Sequence, residues 1–214
     1  MSADKRVKQN SKRLAPRKST NNFEYLQKQT LNTLLLPKNN TQTMKGYVHI
    51  YTGNGKGKTT AAFGLALRAS GAEKKVFIAQ FVKGKPYSEI KAIENYLPEV
   101  DLKQYGRGCF IVKEPTDADI EAAQHGLNEI AVLVKSERYD LIILDEIFIA
   151  LHYKLISIEA VIELITTKPA NLELVLTGRY APKEIIELAD LVTEMKEVKH
   201  YYQKGVQARK GIEF

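Results

Sequence analysis

A short glycine-rich stretch, TGNGKGKTT at residues 52–60, constrains this chain more than any other part of its sequence. It follows a strand-like run, GYVHIY, and opens a helix-like run, TAAFGLALRAS. Glycines let the backbone turn sharply and point its N–H groups at a ligand, and the start of the following helix adds partial positive charge. Lys58 can reach phosphate oxygens, and the Thr59 hydroxyl can hold Mg²⁺. The stretch therefore predicts a phosphate-binding loop.

The loop departs in one respect from the pattern G-x-x-x-x-G-K-[ST]. Counted back from Gly57, the first glycine position holds Thr52; counted from Gly53, the loop is one residue short. A glycine-rich turn that binds nothing is the alternative, but the strand–turn–helix context that the motif requires is present. We therefore expect phosphate binding, in a register that need not be the usual one.

Composition limits the class of protein. The chain has 214 residues, 44% of them hydrophobic, which is enough for one domain with a sizeable core. Its single cysteine, Cys109, excludes a disulfide framework and a four-cysteine zinc site, and it fits a reducing cytoplasm. No apolar run approaches the roughly 18 residues of a membrane span, and the N-terminus lacks an apolar signal core. We expect a cytoplasmic protein with no membrane partner.

The positive charge is concentrated at the N-terminus. The net charge is +7, and residues 1–20, with seven Lys or Arg and one acid, contribute +6, which leaves +1 for the remainder. A nearly neutral body argues against nucleic-acid binding. We interpret residues 1–20 as a disordered basic tail, with weak contact to anionic partners as the alternative.

Residues 21–45 predict an N-terminal amphipathic helix followed by a linker. Phe23, Leu26 and Leu34 recur at helical spacing, and Pro37 ends the pattern. The apolar face must be buried. Ordinary packing on the domain is one option, and a lid over the nucleotide site or a dimer contact is the other.

Strand-like and helix-like segments alternate over residues 46–214. After the first strand, the predicted strands are 76–82, 100–105, 139–146, 172–178 and 190–198. The predicted helices are one that runs from the loop to Ser70 and stops at Gly71, one at 88–97, a long one capped by Thr116, and those at 157–165 and 182–189. This alternation predicts an α/β domain in which a parallel sheet carries helices on both faces.

Two acids, Asp145 and Glu146, end the predicted strand YDLIILDE. In a parallel sheet this strand end and the phosphate-binding loop can meet, because ligands bind at the carboxyl ends of the strands. Mg²⁺ keeps few protein ligands beside phosphates and water. A strand end that merely meets solvent is the alternative, but the pairing with the loop favours a metal site formed by Thr59, Asp145 and Glu146.

Five segments together resemble the ATP:corrinoid adenosyltransferases. They are TGNGKGKTTAAFGLALRA, IAQFVKG, LDEI, TGR at 177–179, and the closing VKHYYQKGVQARKGIEF. The likeness covers roughly residues 46–214 and includes the loop shortened by one residue. Many nucleotide-binding proteins share the first segment. The last segment makes the resemblance specific to this family, through Lys199, His200, Gly205, Ala208 and Gly211–Ile212.

The resemblance implies a RecA-like fold of the P-loop NTPase type, a homodimer, and transfer of the 5′-deoxyadenosyl group of ATP to a Co(I) corrinoid with release of triphosphate. The electrophile is then the 5′ carbon, and ATP lies in the loop in the reversed sense. Lys58, the loop amides and the metal would stabilise charge on the departing triphosphate. The resemblance further implies Mg²⁺ or Mn²⁺ and a flavoprotein-type reductant.

Carried over to this sequence, the resemblance implies roles for named residues. The ATP-binding set is Gly53, Asn54, Gly55, Lys56, Gly57, Lys58, Thr59, Thr60, Arg68 and Arg179. The catalytic set is Lys58, Thr59 and Glu146. Surface or structural salt bridges are the alternative for the two arginines.

One departure concerns the corrinoid. Some members of the family use a Phe and a Trp, in the loop matching 106–112, to displace the lower ligand of cobalt. This chain has no Trp, and Phe110 or Ile111 is expected to fill the apolar role there. We interpret Cys109 as an ordinary buried thiol. His200 completes the predicted corrinoid-binding set, with a packing or surface position as its alternative.

A phosphate-binding loop also fits two other functions. A RecA-like nucleoside kinase would perform phosphoryl transfer, but thymidine kinases of that fold typically carry a cysteine-rich zinc element, which one Cys cannot supply. A nucleic-acid-bound or regulatory ATPase would need a basic stripe that the near-neutral body lacks.

The two N-terminal predictions can be tested by truncation. Removal of residues 1–20 should leave activity intact, because no apolar surface is lost. Removal of residues 1–36 should lower activity or solubility, because the apolar Phe23–Leu26–Leu34 face is expected to be buried against another apolar surface. Activity and sedimentation of both truncated proteins, compared with the full chain, test this; identical behaviour of all three would contradict a role for the helix.

Overall fold

The computed structural model describes residues 44–85, 87–108 and 114–214. The chain divides into two units, 1–42 and 43–214, and all described residues belong to the second. The predicted basic tail and amphipathic helix lie outside the described residues, as do Cys109, Phe110 and Ile111. The predicted domain division therefore stays a prediction.

In the described part of the chain, six strands form one sheet in which every neighbouring pair is parallel. The strands are β1 (Val48–Thr52), β2 (Val76–Phe81), β3 (Val100–Tyr105), β4 (Leu141–Asp145), β5 (Glu173–Thr177) and β6 (Leu191–Glu194). Their order across the sheet is β3-β2-β4-β5-β1-β6. The strand that precedes the glycine-rich loop and the strand that ends in two acids are thus separated by β5.

Helices cover both faces of this sheet. They are α1 (Lys58–Ser70), α2 (Ser88–Tyr96), α3 (Asp117–Lys135), α4 (Ile147–His152), α5 (Ile158–Thr167) and α6 (Lys183–Ile186). Alternate residues of β4 belong to different cores: Ile142 and Leu144 pack with α3 and α5, whereas Leu141 and Ile143 pack with α1. The predicted α/β fold with helices on both faces is confirmed. Strands β2 and β4 are apolar apart from Gln80 and Asp145, because both of their faces are buried.

Several element boundaries follow the sequence prediction. Helix α1 ends at Ser70 with Gly71 as its C-cap, although Gly71 has φ −63° and the left-handed residue of this turn is Glu73, with φ 61°. At the start of α3, the backbone N–H of Thr116 donates to the Asp119 carboxylate over 3.0 Å.

Other boundaries differ from the prediction. The last strand was expected over 190–198 but ends at Glu194, where its neighbour β1 gives way to the glycine-rich loop. Met195 N still donates to Thr52 O of β1 at 2.8 Å, but Met195 O accepts from Gly55 N of the loop at 2.6 Å. The short helix α4, directly after the two acids, was not predicted. A 3₁₀ turn, Tyr201–Lys204, which was not predicted either, lies after the last strand.

Two helical glycines provide a matched test of packing. A Cβ on Gly126, in α3, would lie 2.5 Å from Cγ of Tyr105, whereas a Cβ on Gly64, in α1, would have nothing within 4 Å. Alanine is favoured over glycine by about 1 kcal/mol in a helix, but overpacking a core site costs about 1–3 kcal/mol. Gly64→Ala should therefore raise the free energy of unfolding, and Gly126→Ala should lower it.

Urea unfolding of the two variants and the unsubstituted protein, followed by circular dichroism, measures both effects. Equal stabilisation by the two substitutions would contradict close packing of α3 on Tyr105.

Candidate active site

The glycine-rich loop, residues 53–57, joins β1 to α1 and packs tightly against the end of β6. Gly53 and Gly57 have φ angles of 96° and 123°, which side-chain-bearing residues rarely adopt. A Cβ on Gly53 or on Gly55 would lie 2.6 or 2.7 Å from the backbone oxygen of Met195. Glycine is therefore required here both for backbone conformation and for close approach.

Lys58 folds back into the loop that precedes it. Its Nζ donates to the backbone oxygens of Gly53 and Gly55, each over 2.7 Å, and the residue is buried. Burial lowers the pKa of Lys58, and the nearby Glu146 carboxylate opposes that shift. The ammonium group is thus held by the carbonyl groups of Gly53 and Gly55, at the start of α1.

Asp145, the last residue of β4, is the centre of a buried polar network. Its carboxylate accepts hydrogen bonds from Thr59 Oγ1 at 2.9 Å, Gln80 Nε2 at 3.0 Å, Lys83 Nζ at 2.8 Å and Thr177 Oγ1 at 2.7 Å. Burial raises the pKa of Asp145, but the Lys83 ammonium together with the hydrogen bonds from Lys83, Thr177 and Thr59 outweighs burial, so the pKa is lowered. The ionised carboxylate therefore ties α1, β2 and β5 to β4.

Glu146 has a different position from its neighbour. Its backbone is left-handed, with φ 60°, and its N–H donates to Thr177 Oγ1 over 3.0 Å. Its side chain is half-buried and lines the same cavity as Thr59. Burial raises the pKa of Glu146, and the adjacent Asp145 carboxylate raises it further. Of the two predicted acids, Glu146 lies at the cavity and Asp145 lies beneath it.

The cavity has a volume of about 690 Å³, within the range of ligand sites. It brings together most of the predicted site residues. Those that line it are Asn54, Gly55, Lys56, Gly57, Lys58, Thr59, Thr60, Glu146, Arg179 and His200. Arg179 and His200 are more than one hundred positions from the glycine-rich loop in the sequence, so the arrangement depends on the fold.

Other predicted residues have different positions. Gly53 is bound to Lys58 through its carbonyl but does not line the cavity. Arg68 is exposed in the last turn of α1, about 15 Å along the helix axis from Lys58 at the usual rise per residue, and does not line the cavity either. Phe110 and Ile111 cannot be placed, because they lie outside the described residues.

The C-terminal segment, residues 200–214, forms one wall of the cavity. Lys56 Nζ, in the loop, donates to Tyr201 OH at 2.9 Å, to the oxygen of Ile212 at 3.1 Å and to Glu213 Oε1 at 2.8 Å. Hydrogen bonds from Arg209, Lys56 and Tyr201 hold the pKa of Glu213 well below its usual range. At the far end, Ser88 Oγ donates to the backbone oxygen of Phe214 over 3.1 Å. The segment therefore connects the loop to the start of α2.

The structure adds residues that the sequence analysis did not single out. Lys83, Gln80 and Thr177 surround Asp145, and Glu213 and Tyr201 contact Lys56. One signal was available: a lysine directly after the apolar strand β2, in IAQFVKG, lies at the carboxyl edge where ligands bind.

The arrangement fits a hard cation held mainly by phosphate. Within 44–85, 87–108 and 114–214, no group of three or more His, Cys, Asp or Glu side chains could hold a metal ion. Of the three predicted metal ligands, the Thr59 hydroxyl and the Glu146 carboxylate line the cavity, whereas Asp145 does not line it and already accepts four hydrogen bonds. Mg²⁺ typically takes one or two carboxylates and completes its shell with phosphates and water.

No helix in the described part of the chain is both long and apolar enough to cross a membrane.

A parallel α/β sheet with a glycine-rich loop, a buried lysine and paired acids at its carboxyl edge defines a nucleotide-binding protein of the P-loop type. Comparison with known proteins narrows this class. Residues 44–214 match the family model described as ATP:corrinoid adenosyltransferase BtuR/CobO/CobP.

Curated relatives agree with that match. The corrinoid adenosyltransferase of Pseudomonas aeruginosa is 37% identical over 171 residues, covering 79% of this chain and 84% of the relative. The corrinoid adenosyltransferase of Escherichia coli strain K12 is 34% identical over 174 residues, covering 81% and 88%. Corrinoid adenosyltransferase CobA of Salmonella typhimurium is 35% identical over 178 residues, covering 81% and 88%.

The chain therefore belongs to the ATP:corrinoid adenosyltransferase family, as its motifs predicted. The alternative of a kinase or ATPase that performs phosphoryl transfer is not favoured.

The C-terminal wall can be tested at Glu213. Glu213→Gln removes the carboxylate that Lys56, Tyr201 and Arg209 share, but leaves the bonds of Lys56 to Tyr201 and Ile212. The wall should therefore be held less firmly to the loop, and the Kd for ATP should rise roughly two- to fivefold, the range of an exposed ion pair. Glu197→Gln is the matched control, because Glu197 lies earlier in the chain, bonds Gln203 and does not line the cavity. Calorimetric titration with ATP measures the Kd of both variants. An equal change in Kd for the two substitutions would contradict a role of the C-terminal wall in ATP binding.

Proposed function

We propose that this protein transfers the 5′-deoxyadenosyl group of ATP to the Co(I) centre of a corrinoid and releases triphosphate. The observation that carries the proposal is the match of residues 44–214 to the corrinoid adenosyltransferase family, together with a cavity that holds Lys58, Thr59 and Glu146 side by side. In this reaction the C5′–O bond of ATP breaks and its electron pair leaves on the triphosphate. The Co–C5′ bond forms with two electrons supplied by Co(I).

The described side chains suit a reaction whose leaving group is a polyanion. Lys58 is already fixed among the loop carbonyls, so little reorganisation is needed when negative charge develops beside it. Arg179 lines the cavity from the end of β5 and adds a second cation. Co(I) is itself a strong nucleophile, and no general base has to be supplied.

Finer parts of the proposal rest on the family resemblance. We propose that Mg²⁺ or Mn²⁺ accompanies ATP, held by Thr59 and Glu146 with Asp145 beneath them; the bound ion would neutralise charge on the triphosphate. An ATP-binding role of Arg68 and the corrinoid-binding roles of Phe110, Ile111 and His200 are proposed on the same basis. So are a homodimer and a flavoprotein-type reductant, whereas the cytoplasmic location is proposed from the single cysteine.

Product analysis tests the reaction. With ATP, Mg²⁺ and chemically reduced cobalamin, the protein should form triphosphate and adenosylated corrinoid in equal amounts, seen by ion-exchange chromatography and by the change in corrinoid absorbance. Lys58→Ala should lower turnover by roughly 10², the scale for loss of one preorganised charge stabiliser. ADP formed in step with corrinoid consumption, or ATP hydrolysis equally fast without corrinoid, would contradict adenosyl transfer.

A further inference from the structure

Lys83 is a buried cation to which the proposed reaction gives no role. The residue follows β2 and is only 8% exposed, yet it lines the nucleotide cavity. Its Nζ lies 2.8 Å from Asp145 Oδ2 and 3.5 Å from Thr59 Oγ1. The ammonium group is therefore within reach of two of the three side chains predicted to serve the metal.

The backbone around Lys83 is built to hold this position. Val82, just before it, has φ 62°, a conformation that a β-branched residue rarely adopts. A Cβ on Gly84 would lie 2.4 Å from the oxygen of Gly106, and a Cβ on Gly106 would lie 2.6 Å from Lys83 N. Strain of this kind is concentrated at functional sites, because it persists only where the surrounding structure imposes it.

Asp145 does not need a lysine merely to satisfy its hydrogen bonds. Thr59, Gln80 and Thr177 already donate to its two oxygens. Lys83 adds a full positive charge, which neutralises the buried carboxylate. A divalent cation that approached Asp145 or Thr59 would meet that ammonium at short range, in surroundings where charges interact strongly.

We propose that Lys83 is a resident counter-cation that keeps divalent metal ions out of the site until nucleotide arrives. Without nucleotide, the predicted metal ligands that line the cavity are the Glu146 carboxylate and the Thr59 hydroxyl, which are too few for a hard divalent cation. The phosphates of ATP supply the missing oxygens, and metal and nucleotide bind together. This inference rests on the nucleotide-binding part of the proposed function and not on adenosyl transfer.

The experiment measures binding of Mn²⁺ alone to the full chain, by electron paramagnetic resonance of free Mn²⁺, with neither ATP nor corrinoid present. Lys83→Met should bind Mn²⁺ at least about tenfold more tightly than the unsubstituted protein, because the opposing charge is gone. Lys83→Arg keeps the charge and should behave like the unsubstituted protein. Lys85→Met is the matched control, since Lys85 is exposed in the same turn and does not line the cavity.

A double variant separates counter-ion exclusion from general loosening of the site. Lys83→Met combined with Asp145→Asn removes both charges, so the gain in Mn²⁺ affinity should disappear. Retention of that gain in the double variant, or an unchanged affinity in Lys83→Met, would overturn the proposal.

One further measurement does not depend on any variant being folded. Water proton relaxation should detect protein-bound Mn²⁺ in the unsubstituted chain only when ATP is added, and equal binding without ATP would overturn the proposal. Failure of adenosyl transfer would leave these results unchanged, so the two proposals can fail separately.

Discussion

A single buried carboxylate, Asp145, organises the site on which the rest of this structure depends. An ionised carboxylate can be buried only if charged or hydrogen-bonding partners replace water around it. Here the partners come from the start of α1, from β2, from the turn after β2 and from β5. Because all of these partners bond the same carboxylate, Asp145 fixes the position of the glycine-rich loop and its helix on the sheet.

The strand order explains why these partners are available. Gln80 is the register partner of Asp145 on β2, and β5, on the other side of β4, brings Thr177 to the same level. Because β5 is the direct neighbour of β4 and Thr177 ends it, Thr177 contacts both acids: its hydroxyl donates to Asp145 and accepts from the backbone N–H of Glu146. The left-handed backbone of Glu146 then turns that side chain to the cavity, while Asp145 stays beneath.

The sequence analysis succeeded where the signal was local. Short patterns predicted three features: the phosphate-binding loop from glycines followed by Lys58 and Thr59, the acids from the end of an apolar strand, and the fold class from the alternation of strands and helices. The family resemblance was carried by the same short segments, and the comparisons confirm it. A boundary was wrong where a contact distant in sequence decides it: the last strand ends at Glu194, because β1 beside it becomes the loop and Met195 O accepts from Gly55 N.

The sequence by itself determined the class of fold and the presence of a phosphate-binding loop with acids nearby, because periodicity and glycine-rich turns are properties of neighbouring residues. Only the tertiary structure decided which side chains share the site. Lys83 beside Asp145, the C-terminal segment on Lys56 and the distance of Arg68 from the cavity all depend on strand order and helix direction. Burial, which gives these charges their importance, exists only after residues far apart in the chain have packed together.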